Sequence, residues 1–229
     1  MKTDREAFHQ GLSSYVPAMQ FASHVVEDAP SWFSLGIPAL SDDDAVALAT
    51  PANAVAGTDV AYTWTSDCPY GRNIIVTPSG VPGNANVLDV YGFDYLMQPM
   101  VERFTGSAAA STPLVGKKAF YIVNRSRIVT ASSNAITAKI GFGALLGLPY
   151  KCGILAAKEG GVVIAYTNAQ LVVADQTDPA TGVTGDPRGT YAGLGAFNGV
   201  KKIEVSIVGD PAVNAANNGG LHGIRQYYA

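Results

Sequence analysis

Hydrophobic and polar positions alternate over many short segments of this chain. Residues 60–64 and 203–207 each place an apolar side chain at every second position, and this two-residue period is typical of half-buried strands. Further β-branched or apolar runs, bounded by Gly, Pro, Asn or Asp, occupy residues 72–77, 86–91, 95–104, 118–130, 135–142, 162–167 and 170–174. Pro99 indicates an edge or a bulge, and Asn168-Ala169 predicts a tight hairpin between the last two runs.

These runs predict about eight to ten short strands with almost no helical period, a spacing typical of antiparallel all-β domains. We therefore expect an all-β fold over residues 41–210, an antiparallel β-sandwich or a jelly-roll-like barrel, with an extended N-terminal arm. Residues 1–40 form the predicted arm: their aromatic residues follow no sustained period and their prolines break long helices, so at most one short helix fits. The arm either packs on its own domain or lies on a neighbour.

Two further segments are predicted to make contacts. Residues 175–195 form the longest loop, in which two Asp-Pro steps and several glycines fix successive turns; loops of this length in compact domains are usually functional or disordered. Residues 211–229 form a tail that is flexible by composition but ends in Tyr227 and Tyr228. Two terminal tyrosines are expected to dock onto a surface rather than face solvent.

Composition narrows the class of protein. Charged residues make up 14% of the chain, hydrophobic residues 48%, and the net charge is −3. Abundant apolar residues argue against disorder, and the balance of basic and acidic residues argues against direct nucleic-acid binding. The N-terminal sequence does not predict a secretory signal, and no apolar run is long enough for a transmembrane helix. Cys68 and Cys152 are either buried apolar residues or one disulfide, the first being favoured.

Candidate chemistry is sparse, and we expect neither an enzyme, nor a cofactor, nor a metal site. His9, His24 and His222 lack the spacing of a zinc helix. Asp42-Asp43-Asp44 lacks the alternating ligands of a calcium loop and predicts a solvated turn. Residues 141–147 contain glycines at a spacing one residue too long for a dinucleotide-binding loop. A low-charge β domain with aromatic arms instead suits permanent assembly, because obligate interfaces are more apolar than free surfaces.

Several segments resemble one family of proteins. They are residues 70–77 (YGRNIIVT), 92–102 (GFDYLMQPMVE), 116–120 (GKKAF), 141–143 (GFG), 146–150 (LGLPY), 177–181 (TDPAT) and 185–191 (GDPRGTY). Together they resemble capsid decoration, or cement, proteins of tailed bacteriophages over residues 70–191. Pro187 departs from the pattern, since the resemblance implies a small aliphatic residue there. The resemblance implies a virion structural protein, assembled in the host cytoplasm, that binds the capsid surface and reinforces it.

The partners implied are the major capsid protein and further copies of this chain, in a dimer or trimer, without nucleic acid or membrane. Closed oligomers and arms that cross subunit boundaries suit such a role. The residues expected at these interfaces come from the arm, the long loop and the tail: Phe8, Tyr15, Phe21, Trp32, Asp186, Arg188, Tyr191, Tyr227 and Tyr228. Two alternatives remain open: a tail-tube or head–tail joining subunit, and a carbohydrate-binding β-sandwich in which Trp32 and Trp64 supply sugar platforms.

Overall fold

The computed structural model describes residues 31–48, 56–68, 70–79, 86–106, 112–130, 137–149, 152–164, 170–172, 174–175 and 181–209. Strands dominate this part of the chain, and it contains no helix long and apolar enough to cross a membrane. The strands are β1 (Ser31–Gly36), β2 (Asp42–Leu48), β3 (Asp59–Val60), β4 (Thr63–Trp64), β5 (Arg72–Ser79), β6 (Val87–Phe93), β7 (Pro99–Thr105), β8 (Leu114–Phe120), β9 (Ile122–Thr130), β10 (Thr137–Gly147), β11 (Cys152–Glu159), β12 (Val162–Ile164), β13 (Leu171–Val172), β14 (Thr190–Ala192) and β15 (Ile203–Gly209).

The strands form three antiparallel sheets, so the predicted all-β, sandwich-like architecture is confirmed. The first sheet has the order β1-β15-β11-β12 and the third has the order β3-β9-β6-β7. The second sheet is centred on the long strand β10, which pairs with β2, β5 and β14, while β5 also pairs with β8. Tyr121 separates β8 from β9, so the chain passes there from the second sheet to the third.

Two hydrophobic cores hold the sheets together. One fills the space between the second and third sheets and contains Val46, Cys68, Ile74, Val76, Val90, Met100, Phe104, Phe120, Val123, Ile140 and Phe142. The other packs the first sheet against the end of β10 and contains Leu35, Leu146, Leu148, Cys152, Ile154, Ala157, Tyr191, Phe197, Ile203, Val205 and Ile207. The apolar alternation of residues 203–207 therefore faces a core, as the sequence indicated.

Glycines in β10 allow the second sheet to close tightly. A Cβ at Gly141 would overlap the backbone of Asp42, and one at Gly143 would lie 2.5 Å from Oδ1 of Asn73. A side chain at either position would force these neighbouring atoms to move. The glycine pattern that superficially resembles a nucleotide-binding loop is thus a close-packing pattern within a central strand.

The structure corrects several local predictions. Ser31–Gly36, assigned to the irregular arm, forms β1 and pairs with β15, so the β domain begins before residue 41. The seven residues between Pro30 and Pro38 leave room for this six-residue strand. Asp42-Asp43-Asp44 begins β2 rather than forming a turn. The turn predicted at Asn168-Ala169 lies outside the described residues. Of the runs on either side of it, β12 pairs with β11 in the first sheet and β13 pairs with β14 in the second.

Candidate functional site: a groove between three sheets above a layer of buried charge

Residues 186–191 lie beneath the surface. Asp186, Arg188 and Tyr191 retain 2%, 1% and 0% of their exposed area, so their assignment to an intermolecular interface is wrong. The Asp186 carboxylate accepts hydrogen bonds from the backbone N–H groups of Ala119, Arg188 and Gly189 at 2.8–3.1 Å. These bonds fold the GDPRGTY segment against β8. The polar residues that suggested a contact loop are instead internal ties.

A buried ion pair joins this segment to the turn between β6 and β7. Nη2 of Arg188 lies 3.5 Å from Oδ2 of Asp94, and both side chains are almost completely excluded from solvent. Oδ1 of Asp94 accepts the backbone N–H groups of Leu96 and Gln98, each at 2.8 Å. Burial raises the pKa of Asp94, while Arg188 and the turn amides oppose that shift. One carboxylate therefore fixes both its own turn and the neighbouring segment.

Glu102 and Lys118 form a second part of the buried layer. The Glu102 carboxylate accepts the backbone N–H of Lys117 at 2.5 Å and that of Lys118 at 3.3 Å. Nζ of Lys118 donates to the carbonyl of Thr181 at 2.7 Å. Burial raises the pKa of Glu102 to about 7 and lowers the pKa of Lys118. These contacts connect β7, β8 and the start of the 181–191 segment.

Arg72 connects the two hydrophobic cores and the loop that follows β1. Its guanidinium lies over the rings of Phe142 and Phe197, 4.5 Å and 5.5 Å from their centroids. It donates to the carbonyls of Ala39, at 2.9 Å, and Gly143. Burial lowers the pKa of Arg72 to about 10. Such a cation, stacked on aromatic rings and bonded to two carbonyls, ties three segments at one point.

Above the buried layer lies a groove to which all three sheets contribute, here called the three-sheet groove. Its walls are residues 33–36 of β1, Tyr70 before β5, Tyr95 after β6 and residues 147–149, which begin with the last residue of β10. Its volume is about 180 Å³, and none of the lining residues is charged. Ligand sites commonly occupy such junctions between structural units. The groove is therefore a candidate binding site.

The aromatic walls of the groove contact neighbouring residues. The Tyr70 ring packs directly on Gly36, where a Cβ would overlap it, and Tyr70 itself adopts a positive φ of 61°. Tyr95 lies in the turn that Asp94 organises, and its ring contacts that of Tyr121 edge-on, with centroids 6.0 Å apart. Tyr70, Tyr95 and Tyr121 are all exposed. Backbone strain at a non-glycine residue beside a cleft is characteristic of functional positions.

A second exposed apolar surface lies on the hairpin formed by β11 and β12. Gly160 and Gly161 form its two-residue turn, and both have positive φ, as a type I′ turn requires. Leu155, Val162 and Val163 are 54%, 65% and 61% exposed. We call these three residues the hairpin surface. Since β12 is an edge strand of the first sheet among the described residues, this surface adjoins a row of backbone hydrogen-bonding groups.

The remaining predicted residues are placed as follows. Trp32 is 43% exposed on β1, and Nζ of Lys158 lies 4.0 Å from its ring centroid. Cys68 and Cys152 are buried in different cores and are not joined by a disulfide. The other predicted interface residues lie outside the described part of the chain: Phe8, Tyr15, Phe21, Tyr227 and Tyr228.

Sequence reasoning missed Asp94, Glu102, Lys118 and Arg72 as internal ties. A signal for one of them was present. In β7 the alternation places Glu102 on the same inward side as Met100 and Phe104, which marks a charge directed into the core. A charged residue at an inward position of a strand predicts a buried polar network.

Comparison of the whole chain with protein-family models, curated proteins and solved structures gives no match.

Proposed function

We propose that this chain is a structural protein of a tailed-phage virion that decorates the capsid and bridges subunits of the major capsid protein. Three features support the proposal. Residues 70–191 carry segments that resemble those of decoration proteins, the fold is an all-β sandwich, and only 14% of the chain is charged. The last two features suit a subunit that works within a permanent assembly.

The hairpin surface is the observation that carries the proposal. Soluble proteins usually protect an edge strand with charged side chains, prolines or a covering segment. Here Val162 and Val163 are successive residues of the edge strand, so their side chains face opposite sides of the sheet. Both of them, and Leu155 of the neighbouring strand β11, are more than half exposed. An apolar edge of this kind favours association with another protein. We assign this surface to the contact with the capsid shell.

The buried charge layer supports the proposed role in a different way. A protein that bridges capsid subunits must resist deformation when the shell is under internal pressure. The Arg188–Asp94 pair, the Glu102 hydrogen bonds and the Arg72 contacts each connect separate strands or loops. A surface supported by such ties is already organised for binding, so less conformational entropy is lost on association.

The charged face of the third sheet is a weaker candidate for the capsid contact. Arg103 donates to both carboxylate oxygens of Asp89 at 2.8 Å, and Arg125 lies 3.2 Å from Asp59. The Arg125 guanidinium also stacks on Tyr91, 4.0 Å from the ring centroid. The opposite charges within each pair offset each other, so this face gives little long-range electrostatic attraction to a partner. We therefore place the contact on the hairpin surface.

Substitution of the hairpin surface tests the proposal. Val162→Ser/Val163→Ser should greatly reduce co-sedimentation with phage heads that lack the protein, because it removes the apolar contact area. Val115→Ser is the matched control, since Val115 is 64% exposed on β8 and is not part of the hairpin. Both proteins should retain the same unfolding midpoint, because exposed substitutions change stability by only about 0.5 kcal/mol. Equal binding of the two proteins to heads would show that the hairpin surface does not contact the capsid.

Electron microscopy of the purified protein separates the capsid role from the tail alternative. A decoration protein should remain as small particles in the absence of heads. A tail-tube or head–tail joining subunit should instead assemble into rings or tubes, because head-to-tail interfaces generate such structures. Rings or tubes would therefore favour the alternative.

A further inference from the structure

The three-sheet groove has the size and chemistry to receive one aromatic side chain. Its volume is about 180 Å³, and a protein cavity of about 150 Å³ is known to hold a benzene molecule. Tyr70 and Tyr95 form two of its walls, and no charged residue lines it. An aromatic ring that enters between fixed tyrosines gains edge-to-face or offset-stacked contacts.

The walls are positioned before any partner binds. Gly36 leaves no space between β1 and the Tyr70 ring, and the Asp94 carboxylate holds the turn that carries Tyr95. Arg188, the ion-pair partner of Asp94, precedes Gly189, whose carbonyl accepts the backbone N–H of Leu148 at 3.2 Å. The buried pair therefore connects opposite walls of the groove. Preorganised walls favour a specific occupant over nonspecific apolar contact.

The chain itself contains a segment of matching chemistry. Residues 10–23 include no Asp, Glu, Lys or Arg, and they contain Tyr15 and Phe21. Phe21 precedes Ser31 by ten positions, so it can lie up to about 35 Å from the start of β1. Tyr15 can lie up to about 55 Å away by the same measure. These distances exceed the radius of gyration of a domain of this size, about 17 Å, so the segment can reach a neighbouring subunit.

The direction of β1 favours a neighbour over the same subunit. β1 runs from Ser31 to Gly36, and its later residues, 33–36, form the groove wall. The preceding chain therefore joins β1 at the end farther from the groove. To enter its own groove, residues 10–23 would have to reverse and run back along β1, and for this reason we place the segment in the groove of an adjacent copy.

We propose that residues 10–23 of a second copy of this chain lie in the three-sheet groove and insert an aromatic ring between Tyr70 and Tyr95. This contact deepens the proposed function and rests on it for its biological purpose, because it supplies the oligomer through which a decoration protein bridges neighbouring positions. If each copy in a closed ring gives its segment to the next copy, every groove is occupied.

Sedimentation equilibrium of the full chain provides the first test. The full chain and the control Trp64→Ser should show a mass of two or more copies, because Trp64 is exposed and does not line the groove. Tyr15→Ser/Phe21→Ser, which alters the segment, and Tyr95→Ser, which alters the groove, should each show the monomer mass. A monomeric full chain, or oligomers that persist in both variants, would overturn the proposal.

Disulfide trapping then identifies which copy supplies the segment. An equal mixture of Phe21→Cys and Tyr95→Cys proteins, carrying different tags, should form a disulfide between the two tags on oxidation. Cys68 and Cys152 are buried and should not compete. If the double variant forms only an intramolecular disulfide and the mixture forms none, the segment covers its own groove and the proposal is wrong.

Head binding separates this inference from the proposed function. Loss of self-association in Tyr95→Ser with head binding retained would keep the capsid role and confirm a separate oligomer contact. Self-association without any binding to heads would keep the groove contact and reject the capsid role.

Discussion

Arg188 and Asp94 form a buried ion pair, 3.5 Å between nitrogen and oxygen, that joins the GDPRGTY segment to the turn between β6 and β7. The sequence places these residues 94 positions apart, so the pair closes a long-range connection. Asp94 also holds the turn that carries Tyr95, and the Tyr95 ring forms one wall of the three-sheet groove. The groove should therefore depend on this pair for its shape.

Loss of the arginine should destabilise the fold strongly. Arg188→Met is expected to reduce the free energy of unfolding by about 3–5 kcal/mol, because Asp94 would remain as a buried charge without its cation. Urea denaturation followed by circular dichroism measures the change. Arg188→Met/Asp94→Asn is the control: the asparagine oxygen can still accept from Leu96 and Gln98, so part of the stability should return. A double variant no more stable than the single one would contradict the ion-pair explanation.

Glu102 should make stability depend on pH. Burial raises its pKa in the folded state to about 7 from 4.5, so the folded state binds this proton more tightly than the unfolded state. The stabilisation from protonation is fully present below about pH 4.5 and is lost as the pH rises through about 7. Glu102→Gln should remove this contribution, and the difference between the two urea-unfolding profiles isolates it. Parallel profiles across this range would contradict the assignment.

Substitution of Gly36 should destabilise the fold through its contact with Tyr70 as well as through its positive φ. Gly36→Ala places a methyl group inside the space of the Tyr70 ring and also strains a residue at φ 86°. Gly161→Ala is a matched control, because its φ is 83° and no atom lies within 4 Å of the added Cβ. In the control, the free energy of unfolding should fall by about 1 kcal/mol from backbone strain alone. Gly36→Ala should lose clearly more, and equal losses by denaturation would show that the Tyr70 contact is unimportant.

Both native thiols should be unreactive in the folded protein. Burial raises the pKa of Cys68 to about 12, and Cys152 is 7% exposed within the other core. Thiolate is the reactive form, so a thiol reagent should modify neither cysteine until denaturant is added, after which it should modify two per chain. Rapid modification of the native protein would indicate that a core opens readily.

The strand pattern could be predicted from the sequence because it depends on local side-chain alternation. Residues 203–207 alternate cleanly and form β15 with its apolar side chains in a core. The partners of each strand could not be predicted in the same way. Residues 60–64 alternate as one strand, yet β3 pairs with β9 in the third sheet and β4 pairs with β2 in the second. Periodicity indicates which side of a strand is buried, but it does not indicate which sheet the strand joins.

The candidate site was less accessible to sequence reasoning. Tyr70, Tyr95 and residues 33–36 come from separate parts of the chain and meet only because three sheets converge. Asp186 and Arg188 were predicted to contact a partner, since polar residues in a loop usually face solvent, but both are buried. Their burial depends on partners in β8 and the β6–β7 turn, which local sequence does not reveal.

The most direct test of the central claim is the number of copies that phage heads lacking this protein can bind. Purified full-length chain should co-sediment with such heads and saturate at a fixed ratio to the major capsid protein, because the proposed sites repeat with the symmetry of the shell. Absence of binding, or uptake that continues to rise without saturation, would contradict a decoration role.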